Sequence, residues 1–323
     1  MIDQRSAWVL ACAAWFCLAP AAAQTYPSKP VRIVVPFAAG GGVDYVARIL
    51  AQRLTEATRQ TFFVENRVGA SGMIGVDYVA KSAPDGYTLL VGSQTTQAVV
   101  PAIYAGKAPY DAQRDFAPVT VIAVSPLLLA VHPSVPARNV ADLIALAQSR
   151  PGHLLYGAAL GGSPHMAGEL FRLMAKVDLL FVPYKGEGPA LADTIGGQIS
   201  MIFGNIPIVL PQVRGNRLRG LAFTSAQRIP SAPDIPTVGE SGLKGYEAST
   251  WFGLLAPAAT PRDIVTKLQT EAARTLNVAE VKDRMQSQGL FVVTNTPEAF
   301  GELIRTEIPR WAKVVKDAGV KPE

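Results

Sequence analysis

The chain has 323 residues, 49% of them hydrophobic and 17% charged, the balance of a folded globular protein rather than a disordered one. At roughly 150 residues per domain, that length suits two domains. Its 30 Lys and Arg against 25 Asp and Glu leave a formal charge of +5. Basic and acidic residues alternate, as in Lys282–Asp283–Arg284, without the basic stripe that nucleic-acid binding requires.

Residues 1–23 read as an export leader. Arg5 precedes the apolar run Ala7 to Ala19, which is shorter than the roughly 20 residues of a membrane-spanning helix. Ala21 and Ala23 then stand at the spacing of a leader-peptidase site, which places cleavage after Ala23. Both cysteines, Cys12 and Cys17, fall inside this segment. Neither has the small residues and upstream apolar run of a lipoprotein cysteine. The mature chain of about 300 residues therefore has no disulfide and must be held by its core, which that length can supply. No later stretch reaches about 18 uncharged apolar residues, so a soluble exported protein is expected.

From there β-rich apolar runs alternate with helix-period segments. Val31 to Phe37 is a buried-strand pattern that runs into Gly40–Gly41–Gly42 and then a helix from Val43 to Leu54, with apolar residues at 43, 46, 47, 50 and 54. Thr61 to Glu65 is a second strand. The Gly69–Ala70–Ser71–Gly72 turn leads to a helix over Ile74 to Lys81, and Pro84–Asp85–Gly86 feeds a strand over Tyr87 to Val91. Phe116 to Val131 is long and β-rich, broken at Pro126. A helix over Val140 to Gln148 and a strand over Leu154 to Ala158 follow. Gly161–Gly162–Ser163–Pro164 then opens a helix over His165 to Lys176. Strands at 179–183, 199–203, 218–224 and 251–256 alternate with short helices near 189–195 and 205–213. A Pro/Gly-rich surface excursion covers Ile229 to Gly245, and helices near 261–276 and 297–316 close the chain. Alternation of this kind predicts parallel sheets covered on both faces. With the last helices returning to the first unit, the chain crosses twice between lobes, near Val124–Ser125 and Thr250–Trp251.

The missing chemistry narrows the function. His132, His153 and His165 have no metal-ligand spacing, and no thiol remains in the mature chain. No metal and no cofactor are therefore expected. Ser163 lacks the G-x-S-x-G elbow, although Ser163 with His165 is a conceivable nucleophile–base pair. The glycine run at 40–42 fits neither nucleotide-binding pattern. What remains is a set of glycine-rich strand-to-helix turns. Glycine allows close approach and positive φ, and the unpaired amides of a helix start hold anions without Arg or Lys. In an open α/β sheet such turns gather at the carboxyl ends of the strands, where ligands bind.

The ligand-binding candidates are Phe37, Ala39, Gly40, Gly41, Gly42 and Asp44 in the first turn, and Ser93, Thr95 and Thr96 after the third strand. Gly161, Gly162, Ser163 and His165 follow in the second-lobe turn, with Asn205 after a later strand. Asp44 could instead cap the helix, Asn205 could cap or donate, and Lys185 is either a cleft cation or a solvated lysine. Trp251 fits the core better than a ligand stack.

Seven segments then carry a family resemblance. They are YPSKPVRIVVPFAAGGGVD from Tyr26, VENRVGASGMIG from Val64, APDGYTLLVG from Ala83, PYDAQRDFAPVT from Pro109, VPYKGEGPAL from Val182, PDIPTVGESGL from Pro233 and WFGLLAPAATP from Trp251. In this order, over nearly the whole mature chain, the sequence resembles the substrate-binding proteins of tripartite tricarboxylate transporters, the Bug family. The resemblance implies a type II periplasmic binding-protein-like α/β fold: two α/β lobes with mainly parallel sheets, joined by two crossover strands. Lobe 1 would comprise residues 24–124 and 252–323, and lobe 2 residues 125–251.

It further implies a monomeric, non-enzymatic periplasmic receptor that closes over a small carboxylate and passes it to membrane permease subunits. A sensor presenting the carboxylate to a signalling receptor, or a Ser163/His165 hydrolase, are the alternatives. In the family the carboxylate is held by amides and hydroxyls of the first glycine turn, matching Phe37 to Asp44, opposite the loops at Ser93 to Gln97 and Leu160 to His165. Two positions depart from its pattern. The usual Asp-Asn is Gly204–Asn205 here, which points to a ligand without an amino group, and Pro164 replaces a Ser or Thr.

Overall fold

The computed structural model describes residues 26–322 apart from Lys185. The leader with its cleavage site, both cysteines and Lys185 lie outside the described residues. The chain opens with β1 (Val31–Val35), α1 (Gly42–Thr58), β2 (Phe62–Asn66), α2 (Met73–Ala80) and β3 (Thr88–Ser93). A wide helical turn at Thr95–Val99 continues into α3 (Val100–Ile103), and β4 (Phe116–Ser125) completes the first pass through lobe 1. Lobe 2 holds β5 (Leu127–Val131), α4 (Val140–Ser149), β6 (Leu155–Ala158), α5 (Ser163–Ala175) and β7 (Leu180–Pro183). It continues with α6 (Glu187–Ile195), β8 (Met201–Asn205), α7 (Ile206–Arg214) and β9 (Arg219–Phe223). The chain returns through β10 (Thr250–Pro257) to α8 (Arg262–Leu276), α9 (Ala279–Ser287), β11 (Phe291–Val292) and α10 (Pro297–Ala318). The helical segment after β3, α9 and β11 have no counterpart in the sequence expectations.

The strands form two sheets, ordered β11-β4-β10-β3-β1-β2 and β7-β6-β8-β5-β9. Both are mixed rather than mainly parallel. β1 pairs β2 and β3 in parallel, and β6 pairs β7 and β8 in parallel. The pairs made by β10, by β5 and by β11 are antiparallel. The cause is the crossing itself, because β4 leaves lobe 1 and β10 re-enters it beside β4 in the opposite direction.

Helices cover both faces of each sheet, which explains why the central strands are apolar throughout. Every residue of β5 and of β10 is buried. In lobe 1 one face packs Leu50 and Leu54 of α1 with Leu268 of α8, and the other packs Val76 of α2 with Phe300 of α10. Gly253 in β10 lets the Phe300 ring lie against the strand, since a Cβ there would stand 2.2 Å from its Cζ. In lobe 2, Leu127 and Leu129 face Met166 and Phe171 of α5, while Leu128 and Ala130 face Ile206 and Val209 of α7. The surface excursion after β9 is pinned by buried Ile229, Val238 and Tyr246, and Tyr246 Oη donates to Ala167 O at 2.9 Å.

α10 belongs to both lobes. Phe300 and Ile304 enter the core of lobe 1, whereas Trp311, Val314 and Val315 enter that of lobe 2. Between them, buried Glu307 accepts from Trp311 Nε1 at 2.7 Å, Gln94 Nε2 at 3.1 Å and Arg310 at 2.8 Å. The two crossovers are tied to one another as well. On the lobe 1 side Thr250 pairs with Ser125. On the lobe 2 side the buried Thr224 hydroxyl accepts from Leu127 N–H at 2.7 Å and lies 3.0 Å from Ala248 O.

Replacing Thr224 by Val keeps the shape but leaves Leu127 N–H and Ala248 O unpaired. It should lower stability by about 1–3 kcal/mol in urea unfolding.

Candidate functional site

The carboxyl ends of β1, β3, β6 and β8 face a cleft between the lobes. Two adjoining cavities fill it, of about 560 and 200 Å³, sharing Gly41, Gly42, Asn205 and Phe252. Four helices begin on these walls. α1 starts at Gly41–Gly42 from lobe 1, and α5, α6 and α7 start at Gly162, Glu187 and Asn205 from lobe 2. None of the four has a side-chain cap at its N-cap residue, although the Asn205 N–H at the start of α7 is taken by Glu187 and α5 and α7 each carry a proline in their first turn. Of the helices that start elsewhere, α4 and α10 are capped by Asn139 and Thr296, whereas α2, α3, α8 and α9 also lack a side-chain cap. Among the described lining residues there is no Lys, Arg or His. Positive potential on these walls therefore comes from helix ends.

The first glycine turn is held from behind. Asp44, 3% exposed, does not reach the cleft. Its carboxylate accepts from Gly40 N–H at 3.0 Å, Arg48 Nε at 2.9 Å and Asn66 Nδ2 at 2.9 Å. Asn66 also donates to Phe37 O at 2.9 Å. Burial pushes the Asp44 carboxyl up, but the hydrogen bonds from Arg48, Gly40 and Asn66 outweigh it and hold its pKa below the ordinary value. Gly40 takes φ +88°, a conformation that suits glycine. Gly42 lies close enough to Phe252 that a Cβ would stand 3.3 Å from the ring. Phe37 lines the smaller cavity, whereas Ala39 is exposed and lines neither. The Gly69–Gly72 turn also stays outside the cavities. It serves as a buttress, since a Cβ on Gly72 would meet Phe37 and Thr96 at 3.3 and 3.1 Å.

After β3, the buried Thr96 hydroxyl is spent on the backbone, accepting from Ser93 N–H and donating to Ser93 O at 3.1 Å each. Thr95 and Ser93 line the smaller cavity. The Ser93 hydroxyl is buried without any partner, although unpaired buried hydroxyls are costly. Ser163, Gly162 and Pro164 stand on the same walls.

His165 does not. Its ring is 1% exposed and stacks on Phe181 with centroids 3.9 Å apart. Nδ1 accepts from Gly161 N–H at 3.1 Å, and Nε2 faces Glu169 at 3.8 Å. Both ring nitrogens therefore face away from any partnership with Ser163. The histidine locks the Gly161 turn, whose φ is +71°, much as Asp44 locks the first. Burial lowers the His165 pKa to about 4 against the opposing pull of Glu169. Trp251 is likewise core, packed edge-on to Phe300.

Asn205 lines both cavities and makes no cap bond to α7. Its N–H donates to Glu187 Oε1 at 2.5 Å, and its Nδ2 donates to Oε2. Glu187 lies inside the VPYKGEGPAL segment but is not among the ligand-binding candidates, and it stands on the cleft wall. The second-lobe wall thus carries a carboxylate although the family's usual Asp is Gly204 here. Burial pushes the Glu187 carboxyl above its ordinary range, and the Asn205 bonds offset part of that.

Two α/β lobes, paired crossovers and a cleft lined by uncapped helix ends define a two-lobed, periplasmic-binding-protein-like solute-binding protein. Residues 46–320 match the family model of the tripartite tricarboxylate transporter family receptor. The chain is 38% identical over 304 residues to protein BugT of Bordetella pertussis, covering 94% of this chain and 93% of that one. Among solved structures, R. palustris Rpa4515 with adipate gives a TM-score of 0.84 at 40% identity, over 92% of this chain and 100% of that one. MatC (Rpa3494) from Rhodopseudomonas palustris with bound malate gives 0.79 at 33% identity, over 90% and 100%. The chain belongs to the tripartite tricarboxylate transporter receptor family, and at that level it is a solute-binding receptor.

The His165 environment makes stability depend on pH. The folded pKa of about 4 lies below the ordinary 6.5, so the unfolded chain takes up the proton first. The contribution is complete above about pH 6.5 and is lost as pH falls towards 4, by on the order of 3 kcal/mol. His165→Gln should flatten that part of the pH profile in denaturant unfolding.

Proposed function

We propose that the protein is exported to the periplasm, with its leader cleaved after Ala23. There, as a monomer, it closes over a small organic carboxylate and delivers it to the permease subunits of a tripartite tricarboxylate-type transporter. The observation that carries the carboxylate reading is the buried, unpartnered Ser93 hydroxyl. It shares one cavity with the uncapped starts of α1 and α5, which come from different lobes. A carboxylate placed there accepts the hydroxyl and the helix-end amides together, an arrangement that suits an anion far better than a neutral solute. The ligands in the related Rpa4515 and MatC structures, adipate and malate, support the same class.

The proposed contacts are Phe37 and Gly40 to Gly42 on lobe 1 with Ser93 and Thr95, and Gly162, Ser163 and Asn205 on lobe 2. Asp44, Thr96, Gly161 and His165 act from behind, by holding the turns. Because the ligand touches both lobes, it has more to bind in the closed state and shifts the population that way. The paired crossovers at Ser125 and Thr250 absorb the rotation. No group transfer is needed.

Calorimetry against di-, tri- and aromatic carboxylates should find at least one ligand, and X-ray scattering should show compaction on its addition. Absence of both across the panel would overturn the reading. Ser93→Ala should weaken the bound carboxylate about tenfold, ~1.4 kcal/mol, while leaving the fold intact.

A further inference from the structure

Glu187 stands at the first position of α6 and, among the described residues, is the charged side chain on the wall of the larger cavity. The β8–α7 junction is shaped around it. A Cβ on Gly204 would stand 2.8 Å from Glu187 Oε1 and 2.4 Å from Val209 Cγ2. Gly204 is not among the residues with positive φ, so space rather than backbone conformation demands glycine there. Asn205 then fixes the carboxylate through its backbone N–H and its side-chain amide.

Both of those donors are neutral. The nearby wall adds Tyr45, Pro207, Ile208, Phe252 and Leu290, none of which carries positive charge. Among the described residues, this half-buried carboxylate is satisfied in hydrogen bonding but not in charge. Each of its oxygens keeps a lone pair for a further donor. The lobe 1 wall of the same cavity is the start of α1 at Gly40 to Gly42, whose Gly40 N–H is already held by Asp44. A positive helix end on lobe 1 and a carboxylate on lobe 2 thus line one cavity.

We infer that Glu187 is a specificity-determining residue that receives an ammonium group, and that the ligand is a small amino carboxylate with its two charges at opposite ends. The inference rests on the receptor reading above and narrows its ligand class. The ligand carboxylate lies on the α1 end and the ammonium against Glu187. A dicarboxylate of equal length brings a second anion to Glu187 and is disfavoured by like-charge repulsion.

The test is calorimetry of the purified receptor with 4-aminobutanoate, 5-aminopentanoate and 6-aminohexanoate against succinate, glutarate and adipate. The expected result is at least one amino carboxylate binding tenfold or more tightly than its dicarboxylate counterpart. Glu187→Gln should cut that ratio by tenfold or more. Glu187→Asp, which withdraws the carboxylate by one methylene, should keep the preference and move the optimum to a longer amino chain. The Asp variant decides the matter if the Gln variant does not fold, because a purely structural role for Glu187 would not shift a chain-length optimum. Equal or tighter binding of dicarboxylates, or a preference that neither variant moves, overturns the assignment and leaves the receptor reading standing. Binding of neither series while another carboxylate binds also overturns it. Failure of every carboxylate overturns both.

Discussion

Everything at the cleft depends on the positive ends of helices that both lobes aim into it. Four helices start there uncapped, one from lobe 1 and three from lobe 2. Partial positive charge at a helix start is modest in water but gains strength where solvent is excluded. The fold therefore has to bring these ends together beside its own carboxylates, Asp44 at Gly40 N–H and Glu187 at Asn205 N–H, without filling the cleft. Asp44 shows how this is managed. It is buried directly behind the first turn, and its charge is absorbed by Arg48, Asn66 and Gly40 N–H. The front of the turn stays open.

The second lobe repeats the device with different chemistry. His165, kept neutral by burial, accepts from Gly161 N–H where Asp44 accepts from Gly40 N–H. A charged acceptor suits a site with a neighbouring Arg48. A neutral ring suits a site stacked on Phe181 with Tyr156 beyond. In both cases the residue that looks like a ligand contact in the sequence works one layer back, and the glycines in front of it line or border the cleft.

Much of this was legible in advance. Strand-to-helix order, the break at Pro126, and the turns at Gly40 to Gly42 and Gly161 to Ser163 all follow from periodicity and glycine chemistry. What periodicity cannot carry is direction. A buried strand reads the same whether parallel or antiparallel, so the mixed sheets were not foreseeable from apolar runs. Nor does it separate a residue facing a cleft from one facing the core one position away, which is why Asp44, Thr96 and His165 sit behind the wall. Glu187 was invisible for a further reason. Its place on the wall depends on the missing side chain of Gly204, 17 residues later in the chain, and no local pattern links the two. The family resemblance drew attention to the loss at 204 but not to what fills the space.

The last helix has a consequence for how the molecule is made. Lobe 2 is written almost wholly in the middle of the chain, yet its core includes Trp311, Val314 and Val315. Lobe 1 begins at the front, yet its core awaits Leu254, Leu268 and Phe300. During synthesis neither hydrophobic centre can be completed until the C-terminal residues emerge. The polypeptide is thus kept from sealing either half early, and both halves finish together, around one shared rod.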